Sequence, residues 1–304
     1  MTPARRQWRT DRPVDLRATL GTLRHGAQDP AFRIATDRSV WWATFTPDGP
    51  GTLQLSGRPR DGEVEATAWG GGAGWLLARV PELLGAGDDT AGFEPRHPAV
   101  AESWRRHPGW RVPRTGRVFE ATAAAVIEQK VTGRESSRAW RSVLSWFGEP
   151  APGPAPAGMR VPPPPGRWRQ IQAWDYHRAG VTPQRARTLA TVASAAAALE
   201  RSAAGSLAEA HRVLRTLPGV GEWTAAEVAQ RALGDADAVS FGDFHLAKDL
   251  CFQLTGARGD DDRLRELLAP WHGHRYRVQR LMELAGGAAP RRGPRFAPPA
   301  HRSH

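Results

Sequence analysis

The stretch that most constrains the fold runs from Leu217 to Leu250. It opens with a tight turn at residues 217–221, Leu-Pro-Gly-Val-Gly, in which two glycines flank one valine. Glycine adopts positive φ at little cost and lets the backbone approach a neighbouring surface closely. A helical pattern begins at Glu222, and the N–H groups at a helix N-terminus favour an anion such as a phosphate. The stretch therefore predicts two helices joined by a turn with an anion-binding side, the alternative being an ordinary corner of a helical core.

A single carboxylate follows the turn. Asp243 stands at the start of the next apolar run, after Ser-Phe-Gly at residues 240–242 and before Phe244. The nearby acids Asp235 and Asp237 lie in a predicted turn, where capping or solvation explains them. A lone acid in an apolar setting at this distance from the turn favours a functional site.

This pattern resembles one family, the helix-hairpin-helix DNA glycosylases. The run Leu-Pro-Gly-Val-Gly-Glu-Trp-Thr-Ala at residues 217–225, followed by Asp243, is most similar to 3-methyladenine DNA glycosylase II of the actinobacterial type. Weaker similarity extends to residues 19–32 and to the last helical segment. The resemblance implies an α+β fold, with a small antiparallel β domain followed by a larger all-α helix-hairpin-helix domain.

The resemblance also implies an activity, the excision of alkylated purines by base flipping. Asp243 is then the catalytic carboxylate, which stabilises the oxocarbenium-like sugar as the N-glycosidic bond breaks. The implied base pocket consists of Trp223, Trp174, Tyr176 and Glu227. An indole such as Trp223 stacks well on a cationic purine. Glu227 is a departure, because the best-known relative has a pocket tyrosine at this position. Ordinary core packing is the alternative for Trp174 and Tyr176.

DNA contacts are implied at two places, and the residues are Gly219, Val220, Gly221, Glu222, Thr224, Gln129 and Lys130. In relatives, a residue at the corner that holds Gln129 and Lys130 fills the gap left by the extruded base. The alternative for this corner is a solvated helix end. No cofactor or catalytic metal is expected, although relatives hold a monovalent cation through hairpin carbonyls, here those of Arg215, Leu217 and Val220.

Lysine usage bears on the reaction type. Relatives that also cut the DNA backbone carry a lysine just after the hairpin for Schiff-base attack. The aligned residue here is Trp223, and the only lysines in the chain are Lys130 and Lys248. The resemblance therefore implies a glycosylase without lyase activity.

The composition is compatible with a DNA partner. The 304 residues carry a formal net charge of +11, almost all of it from arginine, which suits contacts to phosphates. A high-GC genome also favours arginine codons, so charge alone is modest support for a DNA partner.

A single cysteine, Cys251, excludes an intrachain disulfide and a cysteine-bound metal cluster. Without a signal-like N-terminus or a long apolar run, we expect a cytoplasmic protein that acts on double-stranded DNA as a monomer and not at a membrane.

Three segments are predicted. Residues 1–110 form a β-rich N-terminal domain with a short helix, residues 111–285 the helical domain, and residues 286–304 a basic disordered tail. A Pro-rich insertion at about residues 150–166 is expected to be a polyproline-like excursion that contributes nothing to the core.

Within the first segment, alternating or β-branched runs predict strands. The predicted strands are residues 14–20, 32–34, 40–45, 52–55 and 64–68. His25 and Asp29 lie between them and are interpreted as turn or capping residues.

Three other functions remain open from the sequence. The first is a glycosylase for another lesion, such as uracil, hypoxanthine or an oxidised purine, and the lack of a hairpin lysine argues against the lyase-coupled oxidised-purine class but not against the others. A non-catalytic helix-hairpin-helix DNA-binding protein does not need Asp243 and Trp223, and an Asp243 buried in a salt bridge would favour it. An arginine-rich RNA-binding protein lacks a matching module.

Overall fold

Five antiparallel strands form a sheet in the first part of the chain. The computed structural model describes residues 2–290, without the side chain of Pro59. The strands are β1 (Ala4–Arg9), β2 (Phe32–Ile34), β3 (Val40–Thr46), β4 (Gly49–Arg58) and β5 (Glu63–Gly70). Their order across the sheet is β1-β5-β4-β3-β2. Four of the predicted strands are confirmed. Strand β1, an arginine-rich edge strand in which Ala4 pairs with Ala68, was not predicted.

The predicted strand at residues 14–20 is wrong, because the segment forms helix α1 (Leu16–Leu20). The Asp15 side chain accepts a hydrogen bond from Ala18 N at 2.9 Å and so caps the helix. An aspartate before an apolar run is compatible with the start of a helix as well as with a strand. Here the hydrogen bond from Ala18 N to Asp15 stabilises the helix.

Helices make up most of the rest of the described chain. They are α2 (Ala73–Leu83), α3 (Pro98–Arg106), α4 (Val118–Glu128), α5 (Gly133–Phe147), α6 (Pro165–Gln170), α7 (Ala173–Arg178), α8 (Pro183–Ser194), α9 (Ala196–Ser202), α10 (Leu207–Arg215), α11 (Glu222–Val228), α12 (Leu246–Thr255), α13 (Asp261–Leu268) and α14 (Arg275–Ala285). A π-helical turn, Ala229–Leu233, continues α11. The predicted α+β fold is confirmed.

The two faces of the sheet are covered by different elements. Trp42 lies on the face that packs against α1 and α2, together with Leu53 and Leu55. Trp41 lies on the opposite face, where its ring stacks on Trp69 with centroids 5.4 Å apart. This alternation follows from the period of two along a strand.

The Pro-rich insertion covers the Trp41 face, which corrects the prediction that it adds nothing to the core. Two short strands, β6 (Glu149–Pro150) and β7 (Arg160–Val161), pair within it. Met159 and Val161 are buried against the tryptophans. Apolar residues between the prolines thus remove an exposed aromatic face from water.

Helix α4 lies at the centre of the helical part and packs against α5, α8, α9 and α11. Its alanine-rich sequence, including Ala123, Ala124 and Ala125, lets these helices approach closely. At its start, the Glu120 carboxylate accepts a hydrogen bond from Thr44 of β3 at 2.6 Å. The helix therefore connects the sheet with the helical core.

Part of the segment before α4 packs against the C-terminal helix α14. Helix α3, predicted in the N-terminal domain, packs on α14, where Ser103 donates to Leu281 O at 2.5 Å. Arg277 of α14 forms a fully buried ion pair with Asp88, with 2.6 Å between Nη2 and Oδ1. The domain division at residue 110 stays a prediction.

His25 and Asp29 join the N-terminal segment to the helices. Asp29 is buried and accepts hydrogen bonds from His25 N at 2.7 Å and from Trp140 Nε1 at 2.9 Å. His25 Nδ1 lies 2.8 Å from Glu128 Oε1 at the end of α4. The two residues thus form the turn that was predicted for them, and they also hold the N-terminal segment against α4 and α5.

Between residues 2 and 290, no helix combines the length and the apolar character needed to cross a membrane. Residues 291–304 of the predicted tail lie outside the described residues.

Glu120 makes the stability of this arrangement depend on pH. Burial, opposed by Arg117 and by the Thr44 hydrogen bond, raises the pKa of Glu120 from 4.5 to about 7. The folded state therefore holds this proton more tightly than the unfolded state, and stability is lost as the pH rises through 7. We expect Glu120→Gln to remove about 1–2 kcal/mol of this loss between pH 5 and pH 8, measured by urea unfolding. The exposed Glu149→Gln is the control, and an unchanged pH profile in Glu120→Gln would contradict the assignment.

Candidate active site

The predicted hairpin connects α10 to α11 and is held against α8. Gly219 has φ +87°, and a Cβ at this position would lie 2.3 Å from Oγ1 of Thr188. Val220 is buried and its N–H donates to Leu217 O at 3.0 Å. Gly221 has an extended backbone and faces open space. The hairpin is therefore fixed on its inner side and open on its outer side.

Gln129 connects the end of α4 to this hairpin. Its Nε2 donates to Gly219 O and to Thr224 Oγ1, both at 2.8 Å. The next residue, Lys130, is exposed and has φ +53°, an uncommon value for a side chain other than glycine. The structure thus brings together the two segments for which DNA contacts are predicted.

Asp243 lies in the segment of residues 240–245, which leads into α12 and is called the Asp243 turn. Its Oδ1 accepts hydrogen bonds from His245 N at 2.8 Å and from Leu246 N at 2.9 Å. Its Oδ2 has no hydrogen-bond or ion-pair partner among residues 2–290. The side chain is partly exposed and takes part in no salt bridge within that range. The carboxylate is therefore oriented by one oxygen while the other is available.

Buried polar side chains connect the Asp243 turn to α11, the helix that follows the hairpin and is called the hairpin helix. Ser240 Oγ donates to the Glu227 carboxylate, and Gln230 Nε2 donates to Ser240 Oγ at 2.8 Å. Glu227 also pairs with Arg231 at 2.6 Å. Burial, which outweighs the attraction of Arg231, raises the pKa of Glu227. Glu227 thus supports the turn from behind.

The predicted base pocket stays a prediction, and its aromatic residues differ in their exposure. Tyr176 is 3% exposed, and its OH donates to Trp168 O at 3.1 Å, so it is a core residue. Trp174 is 69% exposed on α7. Among residues 2–290, no hydrogen bond or ring contact joins either of them to Trp223 or Asp243. Trp223 is partly buried against the central core at the start of α11.

Phe244 is an exposed aromatic residue that was not predicted to belong to the site. It directly follows Asp243 and is 75% exposed. Lys248 Nζ lies 3.9 Å from the centroid of its ring, and the His245 ring packs edge-on against it. An aromatic residue next to a lone carboxylate was a usable signal, but only the structure shows that the ring faces solvent.

Solved structures share the fold of this chain. The 3-methyladenine DNA-glycosylase from Archaeoglobus fulgidus superposes with a TM-score of 0.73 at 15% identity, covering 92% of this chain and 97% of that one. The 8-oxoguanine glycosylase/lyase from Clostridium acetobutylicum in complex with DNA reaches a TM-score of 0.68 at 13% identity, covering 89% and 91%. The chain therefore has the fold of the helix-hairpin-helix DNA glycosylases, and the predicted resemblance to them is confirmed.

In sequence, the chain is similar to the probable bifunctional transcriptional activator/DNA repair enzyme AlkA of Mycobacterium tuberculosis. The two are 34% identical over 141 residues, which are 46% of this chain and 28% of that protein. The chain thus matches less than a third of the length of this curated relative. No protein-family model matches the sequence.

The two hairpin glycines should respond differently to alanine. At Gly219, the positive φ and the contact with Thr188 predict a loss of about 1–3 kcal/mol in unfolding free energy for Gly219→Ala. Gly221→Ala is the matched control, because its φ of −95° suits any residue and no atom lies within 4 Å of the added Cβ. Equal losses of stability in both variants, measured by urea denaturation, would show that the hairpin is not held against α8.

Proposed function

We propose that the chain is a DNA glycosylase that flips a damaged base out of double-stranded DNA and hydrolyses its N-glycosidic bond, with alkylated purines of the 3-methyladenine type as substrates. The observation that carries this proposal is Asp243, whose Oδ1 is fixed by two backbone N–H groups while Oδ2 has no partner within residues 2–290. A structural capping residue needs only the first oxygen. The second suits a carboxylate that acts on a bound molecule.

The hairpin supports DNA as the partner. The first N–H groups of α11 lack carbonyl partners within the helix and can donate to a phosphate. Gly221 leaves the approach to them open. Lys130 extends from the end of α4 at a positive φ and is suited to occupy the space left by a flipped base. We infer that one monomer engages the duplex through these two segments.

The chemistry requires no cofactor in this proposal. Glycosidic cleavage develops positive charge on the sugar, and the carboxylate of Asp243 stabilises it electrostatically and orients the attacking water. Trp223 replaces the lysine of the lyase-coupled relatives, so strand cleavage is not expected. A monovalent cation at the carbonyls of Arg215, Leu217 and Val220 stays a prediction.

A different lesion is the second candidate, and Glu227 favours it. The resemblance places an aromatic wall here, whereas the chain has a buried carboxylate paired with Arg231 and Ser240. A polar cluster recognises a base by hydrogen bonds better than by stacking on a cationic ring. Hypoxanthine and uracil have the donor and acceptor groups that such a cluster needs.

The decisive test is single-turnover base release from duplexes carrying 3-methyladenine-type, hypoxanthine or uracil lesions. We expect Asp243→Asn to slow release by about 100-fold or more, because the amide keeps the capping oxygen but loses the charge. Abasic sites should be cut only after hot alkali, as a glycosylase without lyase activity requires. Affinity for undamaged duplex should stay unchanged.

Asp249→Asn is the matched control, since Asp249 lies on α12 and its carboxylate, within residues 2–290, accepts a hydrogen bond only from Ala289 N. Release by Asp243→Asn at the wild-type rate would contradict the catalytic assignment. Release of hypoxanthine or uracil but not of the alkylated base would select the second candidate. DNA binding without release of any base would leave a non-catalytic binder.

A further inference from the structure

Helix α13 carries a carboxylate that holds the backbone next to Asp243. Asp261 Oδ2 accepts a hydrogen bond from Gly242 N at 2.7 Å. The cap of α13 is provided by its neighbour Asp260, whose Oδ1 accepts from Arg263 N at 3.0 Å. Asp261 is therefore not needed to start its own helix, and its hydrogen bond serves the Asp243 turn.

One helical turn further on, Arg265 joins the same turn to the hairpin helix. Its guanidinium lies 3.7 Å from the centroid of the Phe241 ring. Its Nη2 lies 3.0 Å from both carboxylate oxygens of Glu222, the first residue of α11. Residues four apart in a helix lie on one face, so Asp261 and Arg265 act on the turn together.

These contacts complete a clamp around the turn. On its buried side the turn is held by Ser240, which bonds to Glu227 and Gln230. On its outer side the hydrogen bond to Gly242 holds a residue with φ +88° directly before Asp243. Glycine at positive φ has many alternative conformations, and a single peptide rotation there would displace the Asp243 carboxylate.

We propose that Asp261 and Arg265 are positioning residues, which set the place of the Asp243 carboxylate relative to the hairpin without touching the substrate. The inference rests on the proposed function, because it assigns these residues to the reaction of that site. Glycosidic cleavage needs the carboxylate at a fixed distance from the sugar, and a displacement of about 1 Å can cost up to 100-fold in rate.

The role of Asp261 is tested by measuring the rate of base release and the affinity for DNA separately. We expect Asp261→Ala to slow single-turnover base release about tenfold while affinity for a duplex with a tetrahydrofuran abasic analogue stays within about twofold. Asp261→Asn keeps an acceptor oxygen for Gly242 N–H and should stay within about threefold of the wild-type rate. The exposed neighbour Asp262→Ala is the control. Wild-type release by Asp261→Ala, or equal slowing in Asp261→Asn, would overturn the proposal.

Arg265 is tested by a double-mutant cycle with Glu222. Arg265→Ala should slow release by about threefold or more, and Glu222→Gln should add little to it, since the two side chains form one bridge. Arg263→Ala, which removes an exposed pair with Glu266 on the same helix, is the control. Fully additive effects of Arg265 and Glu222 would overturn the role of the bridge.

Amide hydrogen exchange of residues 240–246 tests the positioning role without requiring that the protein releases a base. Asp261→Ala should speed the exchange of the Gly242 amide by about tenfold or more, because its acceptor is gone. Unchanged exchange would overturn the positioning role. A wild-type protein that releases no base from any lesion, with faster exchange in Asp261→Ala, would instead overturn the proposed function and confine the clamp to a structural role.

Discussion

The burial of helix α4 is the constraint on which the rest of the structure depends. Its alanines allow four helices to pack around it at short distance. Its first turn bonds to the sheet through Glu120 and Thr44, and the residue after its last turn, Gln129, bonds to the hairpin. One rigid element thus sets where the sheet lies relative to the hairpin, and any change in its packing must alter both.

The second constraint is the ionic cluster beneath the Asp243 turn. Burying Glu227 is costly, and Arg231 offsets the cost by pairing with it while its Nε donates to Thr22 O at 2.8 Å. Arg231 therefore connects the N-terminal segment to the hairpin helix. Removing either charge would leave the other buried without its opposite charge, so this cluster is a structural support.

Local chemistry explains what could be predicted from the sequence. The hairpin and the Asp243 turn depend on residues close together in the chain, and glycine conformation and helix capping determine them. The covered Trp41 face, the core position of Tyr176 and the exposure of Trp174 depend on contacts between distant segments. Apolarity and spacing cannot distinguish a tryptophan that lines a pocket from one on the surface, and the same limit hid the exposed ring of Phe244.

The distribution of the site over separate segments has a physical consequence. The hairpin is fixed by α4 and α8, whereas the Asp243 turn is fixed by the Glu227 cluster and by α13. The direct tie between them on the outer side is the Arg265–Glu222 pair, which is partly exposed and therefore weak by itself. Its contribution lies less in stability than in geometry, because a weak contact between two separately anchored elements can still restrict their relative motion. The Glu227 cluster on the buried side and the Arg265–Glu222 pair on the outer side thus both join α11 to the Asp243 turn, and together they restrict the position of the carboxylate relative to the hairpin.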